Sequence, residues 1–121
     1  MGTEPSSADA PILILTENTF EALDINDYLM RRGLDNIVSE TKIERCDTFL
    51  DDSTPPPRLV FFAFSLGVPA ARNWVLAARD KGWRIILVNG KTTDPDVKGL
   101  PMLTRPFATA HLDAVMEQIG D

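Results

Sequence analysis

Short, branched apolar runs alternate with stretches in which apolar residues recur every three or four positions. The first run, Pro11-Ile12-Leu13-Ile14-Leu15, is bounded by proline on one side and Thr16-Glu17-Asn18 on the other. It reads as a strand buried on both faces. Phe20, Leu23, Asp24, Asp27, Tyr28 and Arg31 then alternate apolar and charged faces at helical spacing. Thr19 is the candidate N-cap of that helix, and Gly33 closes it. Ile37-Val38-Ser39 predicts a short strand, and Ile43, Cys46 and Phe49-Leu50 mark a second, weaker helix stopped by Pro55-Pro56-Pro57. The most apolar strand, Arg58 to Phe64, belongs at the centre of a sheet. Ala71, Trp74, Val75 and Ala78 give a third helix, ended by Lys81-Gly82. Trp83 to Val88 and Leu100 to Thr104 are further strands, and Leu112, Val115, Met116 and Ile119 a closing helix.

Strands and helices in alternation require crossover connections and a parallel sheet covered on both faces. The expected fold is α/β: a doubly wound, three-layer, flavodoxin-like sandwich with a five-stranded sheet of order 2-1-3-4-5. Pro95 sits in the middle of Lys91–Lys98, so a fourth helix there is expected to be short or missing. Residues 1–10 are polar and small and read as a disordered tail; residues 11–121 form one domain.

Composition narrows the function. Of the 121 residues, 44% are hydrophobic and 25% charged, as in an ordinary globular protein. No run approaches the roughly 18 apolar residues of a membrane span, and the start has no apolar core of a secretory signal. The single cysteine, Cys46, rules out an internal disulfide framework. A cytoplasmic protein with no membrane partner is the expectation. The net charge of −6 argues against a binder of phosphate backbones, so no nucleic-acid partner is expected. The charge is uneven: residues 1–60 hold five basic and twelve acidic side chains, while residues 61–121 hold seven and six.

In open sheets of this kind, ligands bind beyond the carboxyl ends of the strands, beside the switch point between strands 1 and 3. The chain delivers Thr16, Glu17, Ala63, Ser65, Asn89 and Arg105 there. No glycine lies between Thr16 and Phe20, which weakens a nucleotide- or flavin-binding reading.

The order of these pieces resembles the receiver domains of two-component response regulators. Ile12 to Asn18 stands where receivers have an apolar strand and an acidic pair. Phe20 to Leu34 looks like their first helix, and Leu59 to Gly67 is similar to the strand bearing their phospho-accepting aspartate. Arg105-Pro106-Phe107 looks like their Lys-Pro-Phe turn. The Leu-Gly after strand 3 and the short strand-4-to-strand-5 loop are similar to stand-alone alphaproteobacterial receivers. What the resemblance implies is a phosphorelay setting, and its departures define the site. Thr16 and Glu17 replace the acidic pair that holds Mg²⁺, and Ala63 replaces the nucleophile. Asn89 replaces the hydroxyl residue that senses the phosphoryl group, Arg105 replaces the lysine, and Met102 replaces the switching aromatic.

A methyl group has no lone pair to attack phosphorus. Mg²⁺ needs hard oxygen ligands, and only Glu17 is in reach, so Mg²⁺ binding is expected to be lost or weak and no cofactor is expected. The chain therefore reads as a degenerate (pseudo-)receiver: not an enzyme, with no catalytic residue and no metal, working through phosphorylation-independent contact with protein. The partner would be a histidine kinase, another signalling protein or a second copy. Lys91, Lys98 and Met102 form the expected partner face, because receivers commonly signal through that side and the loop carries positive charge. The alternative is a small enzyme or ligand-binding protein on a flavodoxin-like fold that uses Glu17, Ser65, Asn89 and Arg105; a third is a subunit whose task is assembly.

The remaining chemistry-bearing residues have plainer readings. Glu17 is readable as a remnant metal ligand or as the ion-pair partner of Arg105. The pair is favoured, since an unpaired charge there is costly. Ser65, with no histidine near, reads as a cap or turn residue. His111 reads as a surface residue, Cys46 as a small core hydrophobe, and Trp74 and Trp83 as packing residues.

Overall fold

β1 (Ile12–Leu15) is buried along its whole length, because it has a strand on each side and a helical layer on each face. The computed structural model describes residues 10–51, 55–88, 97, 99–104 and 107–119. β2 (Ile37–Glu40) and β3 (Leu59–Phe62) flank β1; β4 (Ile85–Val88) pairs with β3, and β5 (Met102–Leu103) with β4. All four pairings are parallel and the order is β2-β1-β3-β4-β5, as the alternation of strands and helices implies.

Side chains alternate across each strand and so divide the core in two. On one face Ile12, Ile14, Leu59, Phe61, Ile86 and Val88 pack under α1 (Thr19–Arg31) and α3 (Thr109–Gln118). On the other face Leu13, Leu15, Val60, Phe62, Ile85 and Leu87 pack under α2 (Pro69–Asp80) and a 3-10 helix, Ile43–Leu50. There Trp74 stacks on Phe62 at 5.3 Å, meets Trp83 edge-on at 6.0 Å, and donates its indole N–H to the Cys46 carbonyl at 2.8 Å. That bond ties α2 to the 3-10 helix.

The second helix thus differs in winding from an α-helix. Ile43, Cys46 and Phe49 are spaced by three, and a 3-10 helix with three residues per turn stacks them on one side. The cap of α1 also differs: Asn18, not Thr19, accepts from the amides of Phe20 and Glu21, at 3.0 and 3.2 Å. Gly33 does end α1. Its φ of 83° lets its amide reach the Met30 carbonyl (2.9 Å) and the Leu34 amide reach the Leu29 carbonyl (3.0 Å).

The orientation of α1 is the larger correction. Its buried face is Glu21, Ala22, Ile25, Tyr28 and Leu29, while Phe20 and Leu23 face solvent. The disordered tail expected over residues 1–10 lies, Ala10 apart, outside the described residues. So does most of the segment where a fourth helix is expected short or missing; Val97 within it is buried against the α2-side core. Among the described residues no helix is long and apolar enough to cross a membrane.

Candidate functional site

The β1–β3 register sets the centre of the site. Leu15 is level with Phe62, and the Ala63 amide donates to the Leu15 carbonyl at 2.8 Å. Thr16 and Ala63 therefore stand side by side at the carboxyl ends of the two central strands. Ala63 is half-buried and packs on the α1/α3-side core.

Thr16 is 1% exposed, and its hydroxyl is fully engaged. Oγ1 accepts from the Asn18 amide at 3.1 Å and donates to Glu21 Oε1 at 3.0 Å. Glu21, one turn into α1, is only 7% exposed. The candidate residues named from the sequence do not include Glu21, yet it is a buried carboxylate at this end of the sheet. Thr16 and Glu21 lie five residues apart, with Asn18 capping the turn between them, and no periodicity in the sequence marks the pair. A carboxylate taken out of water needs donors, and the Thr16 hydroxyl is one of them.

Glu17 is exposed. It borders an open groove of about 430 Å³ with Thr19, Thr41, Lys42, Ile43, Glu44 and Phe64. Ser65 is exposed, and its Oγ accepts from the Gly67 amide at 3.2 Å while its carbonyl accepts from the Val68 amide at 3.1 Å. It braces the turn before α2, whose N-cap is Val68. Met102 is half-buried on the α2-side core, so it contributes packing as well as surface. Asn89, Arg105, Lys91 and Lys98 lie outside the described residues. The structure thus brings Thr16, Ala63 and Glu21 together and leaves Glu17 and Ser65 at the rim.

Away from this end, Cys46 is fully buried, and burial, with Glu40, Asp47 and Glu44 around it, pushes its thiol up to about 12. Such a thiol is a core residue, not a nucleophile. His111 is exposed, and its Nδ1 accepts from the Ala108 amide at 2.8 Å, bracing the start of α3. Tyr28 donates to Asp113 Oδ1 at 2.6 Å, and Arg32 donates to the Tyr28 oxygen at 3.2 Å and to Asp113 at 3.3 Å. This clasp joins α1 to α3. Burial first, and the bond to Asp113 second, raise the Tyr28 phenol above its ordinary value. Among the described residues no three His, Cys, Asp or Glu side chains are grouped to hold a metal ion.

No family model and no curated protein matches the sequence. Solved structures do match in shape. The CheX–CheY complex with BeF3 and Mg from Borrelia burgdorferi gives a TM-score of 0.71 at 14% identity, covering 93% of this chain and 90% of that one. SdrG from Sphingomonas melonis Fr1 gives 0.67 at 18%, covering 96% and 100%. A response regulator receiver protein from Sinorhizobium medicae WSM419 gives 0.69 at 18%, covering 91% and 93%. The chain has the fold of response-regulator receiver domains.

Proposed function

We propose that this chain is a degenerate receiver, a non-enzymatic module of two-component or phosphorelay signalling that acts by binding protein without aspartyl phosphorylation. One observation carries the reading: Ala63 directly follows β3 beside Thr16, where the resemblance to receivers puts the phospho-accepting aspartate. A methyl group can neither attack phosphorus nor become an acyl phosphate. The neighbouring hydroxyl of Thr16 is spent on Glu21 and the Asn18 amide. With the acidic pair reduced to Glu17 at the rim, Mg²⁺ binding at this end is weak or lost. The setting is cytoplasmic, and the partner is a histidine kinase, another signalling protein or a second copy. The segment that holds Lys91 and Lys98, together with Met102, is the partner face that the resemblance to receivers supports.

The test is chemical. Incubation with acetyl phosphate and Mg²⁺ leaves the mass of the protein unchanged. A stable adduct of about 80 Da at the strand ends sinks the reading. Ala63→Asp alone does not restore firm Mg²⁺ binding, because Thr16 still withholds the second carboxylate. The groove beside Glu17 supports the alternative, a ligand-binding protein on this fold. Saturable binding of a small molecule there, abolished by Glu17→Gln, is the result that favours it.

A further inference from the structure

The parallel pairing of β1 with β2 leaves one backbone edge without a strand. The Ile12 amide donates to the Asn36 carbonyl at 3.0 Å, and the Thr16 amide to the Glu40 carbonyl at 3.1 Å. Residues 36, 38 and 40 therefore aim their peptide groups at β1. Ile37 and Ser39 each aim an N–H and a C=O the other way, and among the described residues β2 is the last strand on that side. Folded proteins blunt such edges with lysine, proline or a bulge. Ile37–Glu40 holds no lysine or proline, and its register against β1 is unbroken. Its one charge, on Glu40, turns back and accepts from the Thr41 and Lys42 amides at 2.9 and 3.1 Å. Val38, between the two outward residues, is 36% exposed, whereas Leu13 beside it in register is buried.

We propose that this edge pairs with itself: two copies join β2 to β2, antiparallel about a two-fold axis at Val38, and so form one continuous sheet. The ends of the edge select the occupant. On one side the Thr41 amide is already bonded to Glu40; on the other, Asn36 has a φ of 57°, which ends the extended backbone. Two outward residues remain, and a copy of the same strand completes them. Ile37 meets Ser39 of the second copy and Ser39 meets its Ile37, so every outward N–H and C=O finds a partner. A two-residue shift one way calls on the spent Thr41 amide, and the other way on Asp35, beyond the turn at Asn36. Charge permits the same register. Glu40 falls opposite Asn36, and Asp35 opposite Thr41 with Lys42 one position further, so no like charges stand directly opposite. Val38 meets its own counterpart, which covers the exposed side chain with an apolar one. Two four-residue strands bury little surface, so the association is weak and concentration-dependent. β2 and β5 are opposite edges of the sheet. The junction is thus separate from the partner face that includes Met102, and phosphoryl chemistry does not enter it.

Sedimentation of the full chain from about 10 μM to about 1 mM should show a monomer–dimer equilibrium. Val38→Lys and Val38→Asp each weaken the dimer about fivefold or more, because like charges then meet on the axis, and an equimolar mixture of the two variants re-associates. Under mild oxidation the Val38→Cys variant gives a disulfide-linked dimer. Residues opposite each other in a non-hydrogen-bonded pair have Cα atoms about 4.5 Å apart, within reach of a disulfide. Ser39→Cys, whose counterpart lies two positions along the strand, links about tenfold less. The unaltered chain, whose one cysteine is the buried Cys46, does not link. A chain that stays monomeric at about 1 mM overturns the proposal. So does a dimer that links as readily through Ser39→Cys as through Val38→Cys. A dimer that survives Val38→Lys but is lost on charge reversal at Lys91 and Lys98 overturns it as well, and moves the junction to the other edge of the sheet. Slow hydrogen exchange of the Ile37 and Ser39 amides at every concentration also overturns it, because the edge is then covered within one chain. The acetyl phosphate experiment fails separately: an adduct on a protein that still dimerises through Val38 removes the degenerate-receiver reading and leaves this edge standing.

Discussion

α1 and α2 cover opposite faces of one sheet and obey opposite rules. α2 buries Ala71, Trp74, Val75 and Ala78 and turns Asn73, Arg79 and Asp80 to solvent. α1 buries a glutamate and a tyrosine and turns a phenylalanine, a leucine and a methionine outward. Burial of Glu21 and Tyr28 is tolerated because Thr16 and Asp113 supply hydrogen-bond partners. The apolar exposure of α1 has no counterpart within the described fold. A helix selected only to cover a sheet looks like α2.

The largest expected effect falls on the structural side of that contrast. Trp74→Ala removes the stacked indole and leaves the Cys46 carbonyl without its donor. It should cost about 3–5 kcal/mol in denaturant unfolding. Alkali weakens the same layer. The Cys46 thiol, ordinarily near 9.0, is raised to about 12, so the native state holds its proton longer than the unfolded chain does. Its contribution is fully present below pH 9 and is lost as pH rises towards 12, at up to about 1.4 kcal/mol per pH unit. Cys46→Ala should flatten that slope. A residual slope should start near pH 10, because the Tyr28 phenol is raised as well.

Next in size is the pairing of Arg105. A double-mutant cycle of Arg105→Ala with Glu17→Gln, run beside the same cycle with Glu21→Gln, shows which carboxylate couples to it. A buried pair should couple by about 1–3 kcal/mol, and an exposed one such as Glu17 offers by less than about 1. No coupling to Glu17 removes the ion pair expected from the sequence. The smallest effect is expected on the outer face of α1. Phe20→Ser should shift stability by no more than about 0.5 kcal/mol. A loss as large as that of Trp74→Ala would erase the distinction between the two helices.

The strands and their order were legible because both faces of the central sheet are covered. Ile12–Leu15, Leu59–Phe62 and Ile85–Val88 are accordingly unbroken apolar runs. α2 was legible for a related reason: it has a single apolar stripe. α1 carries two, one at Ala22, Ile25 and Leu29 and one at Phe20, Leu23 and Met30, and periodicity cannot say which faces inward. That choice rests on polar partners distant in the chain, Asp113 for Tyr28 above all, which a local pattern does not contain. Within the site, Thr16 and Ala63 could be placed from strand register. Glu21 could not, since its burial depends on a bond across the turn that Asn18 caps.

The indole of Trp74 has an optical consequence. It touches the 3-10 helix, which contains no tryptophan, through the Cys46 carbonyl, and it lies edge-on to Trp83. Two indoles at 6.0 Å form a coupled chromophore pair whose near-ultraviolet dichroism depends on their mutual angle. Detachment of the 3-10 helix would free the Trp74 N–H to water and shift its emission to the red. The protein thus carries its own fluorescent probe of a segment that has no tryptophan or tyrosine.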